Sequence, residues 1–170
     1  MVILGIDPGT ATTGYGVLEG TLDRPRVLAC DCIRTSARSS TAERLKAIFL
    51  NLDEVLEEYR PDVVAVERLF FNKNAQSAFA VGQARGVAIL AAATRGIEVR
   101  EYTPLQVKIA VTGYGRASKA QVQSMVKMLL GLREVPRPDD AADALAVALT
   151  CLQADAVESR LAGRGRRTDI

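Results

Sequence analysis

Apolar and polar residues follow two periods that alternate along this chain. The run Val2-Ile3-Leu4-Gly5-Ile6 closes on Asp7 and a Pro8-Gly9 turn, and apolar residues return at Val17-Leu18. Runs of this length bounded by Gly and Pro predict buried strands over 2–6 and 14–19, paired as a hairpin. A third strand over 26–34 follows the break at Asp23-Arg24-Pro25 and completes a meander. From 41 to 60 the period becomes helical: Leu45, Ile48, Phe49, Leu52, Val55, Leu56 and Tyr59 share one face. Thr41 is the expected N-cap and Pro61 the stop. Val63-Val64-Ala65-Val66 predicts a fourth strand ending at Glu67, and a helix over 74–94 is closed by Gly96. A short strand over 98–102, a helix after the Thr103-Pro104 cap, a Gly113–Gly115 loop and a helix over 118–130 come next. The last helix starts at Pro138-Asp139-Asp140 and is expected to run to about Gln153. Strands first and alternating elements later predict an α/β fold: a mixed five-stranded sheet, three strands antiparallel and two parallel, flanked by helices. Residues 1–155 are expected to form one domain. Residues 156–170, with Gly163, Gly165 and four arginines, are expected to be a basic, disordered tail.

The lone acids Asp7 and Glu67 each end a predicted core strand. A carboxylate there is costly to bury unless it is paired or holds a metal. If the two strands are parallel neighbours, both acids lie at one sheet edge, where open α/β sheets place their sites. Asp140 and Asp143 are three apart, so they share one face of an otherwise apolar helix start, Ala141, Ala142, Ala144 and Leu145. Capping by Asp139 or Asp140 and favourable placement of Asp143 at a helix N-terminus account for these acids individually. Neither accounts for Asp7 and Glu67.

Composition narrows the chemistry. The chain has 170 residues and no histidine. That removes the commonest general base, every Ser-His or Cys-His pair and the commonest zinc ligand. Converging carboxylates without histidine suit hard divalent cations, Mg²⁺ or Mn²⁺. Two such ions clamp the attacking water and the leaving oxygen of a phosphodiester without a protein base of neutral pKa. The net charge of +2 hides an uneven distribution: residues 1–67 hold seven Lys/Arg against eleven Asp/Glu, and residues 68–133 hold ten against two. A basic middle beside acidic ends points to a polyanion surface next to a carboxylate cluster. Three cysteines make a disulfide framework improbable, and no apolar run reaches the length of a membrane helix, so a reduced, cytoplasmic protein is expected.

The motifs Ile6-Asp7-Pro8-Gly9-Thr10, Thr13-Gly14-Tyr15-Gly16, Val66-Glu67 with Phe70 and Lys73-Asn74, Gly82-Gln83-Ala84-Arg85-Gly86, Gln106-Val107-Lys108, Lys119 with Gln121-Val122, and Asp140-Ala141-Ala142-Asp143-Ala144-Leu145 stand in order over 1–155. In this they resemble the RuvC family of bacterial Holliday-junction resolvases, which have an RNase H-like fold. The resemblance implies that Asp7, Glu67, Asp140 and Asp143 form a metal-binding catalytic quartet carrying two Mg²⁺ or Mn²⁺ ions. Some family members have histidine at the third position, where this chain keeps Asp140. Asp139 is read as a cap or solvated neighbour. The resemblance further implies symmetric paired nicks in four-way junction DNA that leave 5′-phosphates, in recombination and repair. It also implies a homodimer and cooperation with the RuvA and RuvB branch-migration proteins.

Two adjacent aromatics, Phe70-Phe71, cannot both enter one strand face. The resemblance points to Phe70 as the ring that meets an unpaired base. Lys108, Arg116 and Lys119 bracket the glycine loop, where backbone N–H groups and Ser118 at a helix start suit phosphates. By resemblance Lys108 and Lys119 contact DNA near the cut, with Arg68, Lys73, Arg85 and Arg116 as further candidates. Apolar residues around more than one face of the 75–94 helix predict a second buried contact, which a homodimer supplies. Two other readings remain. The Asp7-Pro8-Gly9-Thr10 turn also resembles the first phosphate loop of actin-like and sugar-kinase ATPases, although no second phosphate loop is visible. A catalytically dead RNase H-like DNA-binding module is the other, against which the intact quartet argues.

Overall fold

The computed structural model describes the backbone of residues 1–68 and 75–165 and the side chains of residues 1–68 and 78–162. The elements run β1 (Val2–Asp7), β2 (Thr12–Thr21), β3 (Arg24–Arg34), α1 (Thr41–Tyr59), β4 (Val63–Glu67), α2 (Ala75–Thr94), β5 (Glu98–Tyr102), α3 (Pro104–Thr112), α4 (Lys119–Leu129) and α5 (Asp139–Gly165). The sheet order is β3-β2-β1-β4-β5. β1, β2 and β3 form the antiparallel meander, and β4 and β5 add on parallel to β1. This is the sheet expected from the hydrophobic pattern.

Alternation along the strands separates two cores. Leu4 and Ile6 of β1 and Val64 and Val66 of β4 pack with Ile48, Leu52 and Leu56 of α1 and with Ala84, Ala88, Ala91 and Ala92 of α2. Ile3 of β1 and Val63 and Ala65 of β4 face the other way, toward Val107 of α3, Val122 and Val126 of α4, and Leu145 and Leu149 of α5. By the same period of two, Gly5, Asp7 and Glu67 fall on the α5 side. Each fully buried Leu or Ile in these layers contributes roughly 2–3 kcal/mol through removal from water.

Glycine lets α5 lie directly on β1 and β2. A Cβ at Gly5 would stand 2.1 Å from the carbonyl oxygen of Ala144, one at Gly14 2.0 Å from that of Asp140, and one at Gly16 2.7 Å from the Leu145 side chain. Gly5 and Gly16 are cross-strand partners, as are Asp7 and Gly14. The N-terminal turn of α5 is therefore seated against the strand pair that carries Asp7.

Two boundaries differ from the sequence reading. Ser40, not Thr41, caps α1, because its hydroxyl accepts the Glu43 N–H while the Glu43 carboxylate accepts the Ser40 N–H. That reciprocal box needs the acid three residues after the cap, and Glu43 fixes the cap at residue 40. The last helix does not stop near Gln153. It continues through Gly165, so the stretch 156–165 read as disordered tail is helical here. Ala154, Val157 and Leu161 extend a helical spacing, and Arg100 of β5 holds Asp155 at 3.7 Å and Glu158 at 4.0 Å.

Candidate active site

Asp7 and Glu67 end adjacent parallel strands, whose register pairs Ile6 with Val66. Their carboxylates leave the sheet at the same edge and on the same face. The turn after Asp7 is tight: the buried Thr13 hydroxyl donates to the Gly9 carbonyl oxygen at 2.7 Å. Above this edge the first turn of α5, seated on Gly14, supplies Asp140 and Asp143. The structure thus brings together the four acids singled out in the sequence.

Their electrostatics record how close they are. Burial pushes the Asp7 carboxyl up from 3.8 to about 7, and the charges of Glu67, Asp143 and Asp140 add to the shift, with Lys119 opposing it. Burial also raises Glu67, reinforced by Asp143 and opposed by Lys119 and Lys108. Asp143 is raised by burial, which its hydrogen bond with Lys119 opposes. Partial burial acts to lower Lys119, but bonding to Asp143 and the charges of Asp143, Asp139 and Asp140 outweigh it, so its ammonium is held more firmly protonated.

Lys119 is the first residue of α4. Its Nζ lies 2.7 Å from Asp143 Oδ2 and 3.9 Å from Asp139 Oδ2. Asp139 also accepts from Arg137 at 3.3 Å, so it is a partner of basic side chains. A cavity of about 200 Å³ opens beside the acids, lined by Glu67, Asp143, Lys108, Lys119 and the apolar Pro104, Val107, Val122 and Ala146. Its lining sets two acids beside two lysines, Lys119 paired directly to Asp143.

As the side chains stand, no three acidic groups among the described residues converge tightly enough to enclose an ion. The donor set fits one nonetheless. Oxygen ligands only, with Asp7, Glu67 and Asp143 raised by burial and by neighbouring acids and only partly offset by Lys119 and Lys108, suit a hard divalent cation that keeps part of its water.

The remaining candidates divide. Arg116 is exposed on the α3–α4 loop and makes no ion pair among the described residues. Arg68 is exposed but tied to Glu101 at 3.3 Å, and Arg85 of α2 binds the same carboxylate at 2.5 Å. Phe70, Phe71 and Lys73 lie outside the described residues. Sequence reasoning missed Glu101 as the joint between Arg68 and Arg85, and it missed the glycine seat. The seat had a signal: Gly5, Gly14 and Gly16 fall on one face of two predicted strands.

A family model described as crossover junction endodeoxyribonuclease RuvC matches residues 3–151. The RuvC of Heliobacterium modesticaldum is 59% identical over 151 residues, covering 89% of this chain and 93% of its own. That of Moorella thermoacetica is 59% identical over 149 residues, covering 88% and 89%. Among solved structures, Thermus thermophilus RuvC in complex with a Holliday junction substrate matches with a TM-score of 0.85 at 43% identity, over 91% of this chain and 94% of that one. The yeast mitochondrial Holliday junction resolvase Ydc2, at 13% identity and a TM-score of 0.65, shares the fold. The sheet, its RNase H-like topology and the match along nearly the whole body lead to one assignment: the chain belongs to the RuvC family of crossover junction endodeoxyribonucleases.

Proposed function

We propose that this chain is a Holliday junction resolvase, an endonuclease that makes paired, symmetric nicks in four-way DNA junctions during recombination and repair. The observation that carries this reading is the cluster of Asp7, Glu67, Asp140 and Asp143 at one sheet edge, with Lys108 and Lys119 lining the same cavity as Glu67 and Asp143. The Thermus relative solved with a Holliday junction adds support. The four carboxylates are the groups that would hold two Mg²⁺ or Mn²⁺ ions. Such ions would supply an activated water and charge stabilisation for the leaving 3′ oxygen, the chemistry of a cleavage that leaves 5′-phosphates.

The chain's own residues do the rest. Asp7 and Glu67 are fixed by strands and Asp140 and Asp143 by a seated helix, so the site is positioned before substrate arrives. Lys119 neutralises Asp143 and projects beside the cavity, where its ammonium binds the scissile phosphate. Lys108, on the same cavity wall, takes a neighbouring phosphate, and Arg116 extends the basic surface along the strand. Arg68, directly after Glu67, is held by Glu101. By resemblance, Phe70 meets an unpaired base at the junction centre and Lys73 contacts the DNA backbone.

A homodimer would give two such sites. Phe79 and Leu90 stand 70% and 55% exposed on α2, with Gly86 between them and nothing within 4 Å of a Cβ built there. An apolar stripe with a notch suits a second copy of the helix. Cooperation with RuvA and RuvB and a cytoplasmic location follow from the family reading; no helix among the described residues is long and apolar enough to cross a membrane.

The test is cleavage of a mobile four-way junction against linear duplex of the same sequence, with Mg²⁺, Mn²⁺ or chelator. Junction-selective nicking at symmetric positions, lost in chelator, is expected. Equal cutting of both substrates, or cutting that survives chelation, would overturn the reading.

A further inference from the structure

Between Glu101 and Glu134 the chain carries five Lys/Arg and not one Asp or Glu. At the centre of this basic stretch, on the loop between α3 and α4, stands Tyr114, 56% exposed. Of the four tyrosines it is the most exposed: Tyr102 is buried, and Tyr15 and Tyr59 are partly buried against the core. Resting on the resolvase reading above, we propose that Tyr114 is a stacking contact for a nucleobase flanking the scissile phosphate.

The loop is built to present the ring. The Thr112 hydroxyl donates to the Lys108 carbonyl oxygen at 2.7 Å and accepts the Tyr114 N–H at 3.1 Å. One side chain thus joins the loop to the helical turn that carries Lys108. Gly113 caps α3 at φ 73°, and a Cβ at Gly115 would stand 2.7 Å from Leu105 Cδ1, so the loop backbone lies flat on α3. On the far side the Ala117 N–H donates to the Tyr114 carbonyl oxygen at 3.1 Å, and Ala117 is buried. With its backbone pinned on both sides, the ring points outward and loses little freedom on binding, since only two side-chain torsions remain to be fixed.

Position supplies the ligand. Along the chain Tyr114 lies between Lys108 and Lys119, which share the wall of the cavity containing Glu67 and Asp143. The Thr112 hydroxyl ties this loop to the turn carrying Lys108, and Lys119 follows Tyr114 five residues on, so a strand held by those two lysines would have its neighbouring base within reach of the ring. A base offers a π-face whatever its identity, which suits an aromatic ring beside cations. Among the described residues no aromatic lines the cavity itself.

The absence of tryptophan from the chain makes the test direct, because Tyr114→Trp creates a sole reporter. With chelator present to prevent cleavage, saturating four-way junction should quench the emission and shield the indole from acrylamide. Tyr114→Ala should weaken junction binding, measured by anisotropy of labelled DNA, by about tenfold, and Tyr114→Phe should retain it. Emission unchanged at saturation overturns the stacking contact, even where Tyr114→Ala weakens binding, since that combination means a contact with the phosphate backbone. If wild-type protein fails to bind the junction at all, the resolvase reading fails and this proposal with it. Binding by the wild type with a silent tryptophan removes Tyr114 alone.

Discussion

Asp7→Asn should remove activity and stabilise the protein at once. In the folded, metal-free chain burial and three neighbouring acids push the Asp7 carboxyl from 3.8 to about 7. At pH 8 both folded and unfolded chains carry the charge, and the folded chain bears the full cost of holding it. As pH falls through 7 the folded chain takes up the proton first, and the cost declines until both states are protonated below 3.8. At about 1.4 kcal/mol per pH unit, the shift corresponds to at most about 4 kcal/mol at pH 8. Asp7 keeps partial contact with water, which screens its neighbours, so about 2 kcal/mol is the expected gain from the neutral isostere. For a chain of this size that is a rise of about 5 °C in Tm.

The assay is thermal unfolding followed by circular dichroism in chelator at pH 8 and pH 5, with junction cleavage and junction binding measured alongside. The variant should melt higher than wild type at pH 8, with the advantage reduced by roughly half or more at pH 5. Cleavage should vanish while binding persists. Adding Mg²⁺ should raise the melting temperature of wild type more than that of the variant, because the ion relieves the same repulsion the substitution removes. A variant that melts below wild type at pH 8, or whose advantage is the same at both pH values, would refute the account of Asp7 as a repelled, buried charge. Retained cleavage would refute its role as a metal ligand.

Other perturbations probe other parts of the framework. Gly14→Ala places a methyl 2.0 Å from the Asp140 carbonyl oxygen and should cost about 3 kcal/mol in chemical denaturation together with most cleavage; a well-folded, active variant would contradict the seating of α5. Glu101→Gln leaves half-buried Arg85 without its anion and should cost about 1–3 kcal/mol, with cleavage slowed through release of Arg68 beside Glu67. Phe79→Glu on α2 should yield monomers in size exclusion with light scattering and single rather than paired nicks; an unchanged dimer would place the interface elsewhere. Lys119→Met should lower the cleavage rate far more than junction affinity, which a purely structural pairing with Asp143 would not do.

Much of the framework was legible in the sequence because it rests on periodicity. The strands announce themselves as short apolar runs, and Asp7 and Glu67 stand where those runs stop. Asp140 and Asp143 are conspicuous because an alanine-rich helix start has no packing use for two acids. The errors have equally local causes. The α1 cap moved from Thr41 to Ser40 because the deciding residue, Glu43, acts from three positions away. The length of α5 was underestimated because its last turns are sparsely apolar and depend on Arg100, which sits more than fifty residues earlier. Glu101 was illegible for the same reason: its partners Arg68 and Arg85 meet it only once β5 lies beside β4 and α2.

The glycines explain why four carboxylates stay together when their charges push them apart. Burial first, and then the charges of Glu67, Asp143 and Asp140, push the Asp7 carboxyl up to about 7, so a loosely packed helix would relieve the repulsive part by moving its acids away. The seat forbids that motion only if the contact is backbone on backbone, as it is where Gly5 and Gly14 meet the carbonyl oxygens of Ala144 and Asp140. On the same sheet-facing side of the helix, Leu145 and Leu149 lie fully buried, Leu145 directly over Gly16, and withdrawing α5 by even a small amount would open a cavity costing several kcal/mol. Packing and electrostatics are therefore opposed at this point, and packing prevails. In the proposed resolvase, that unrelieved repulsion is what a divalent cation would relieve on binding.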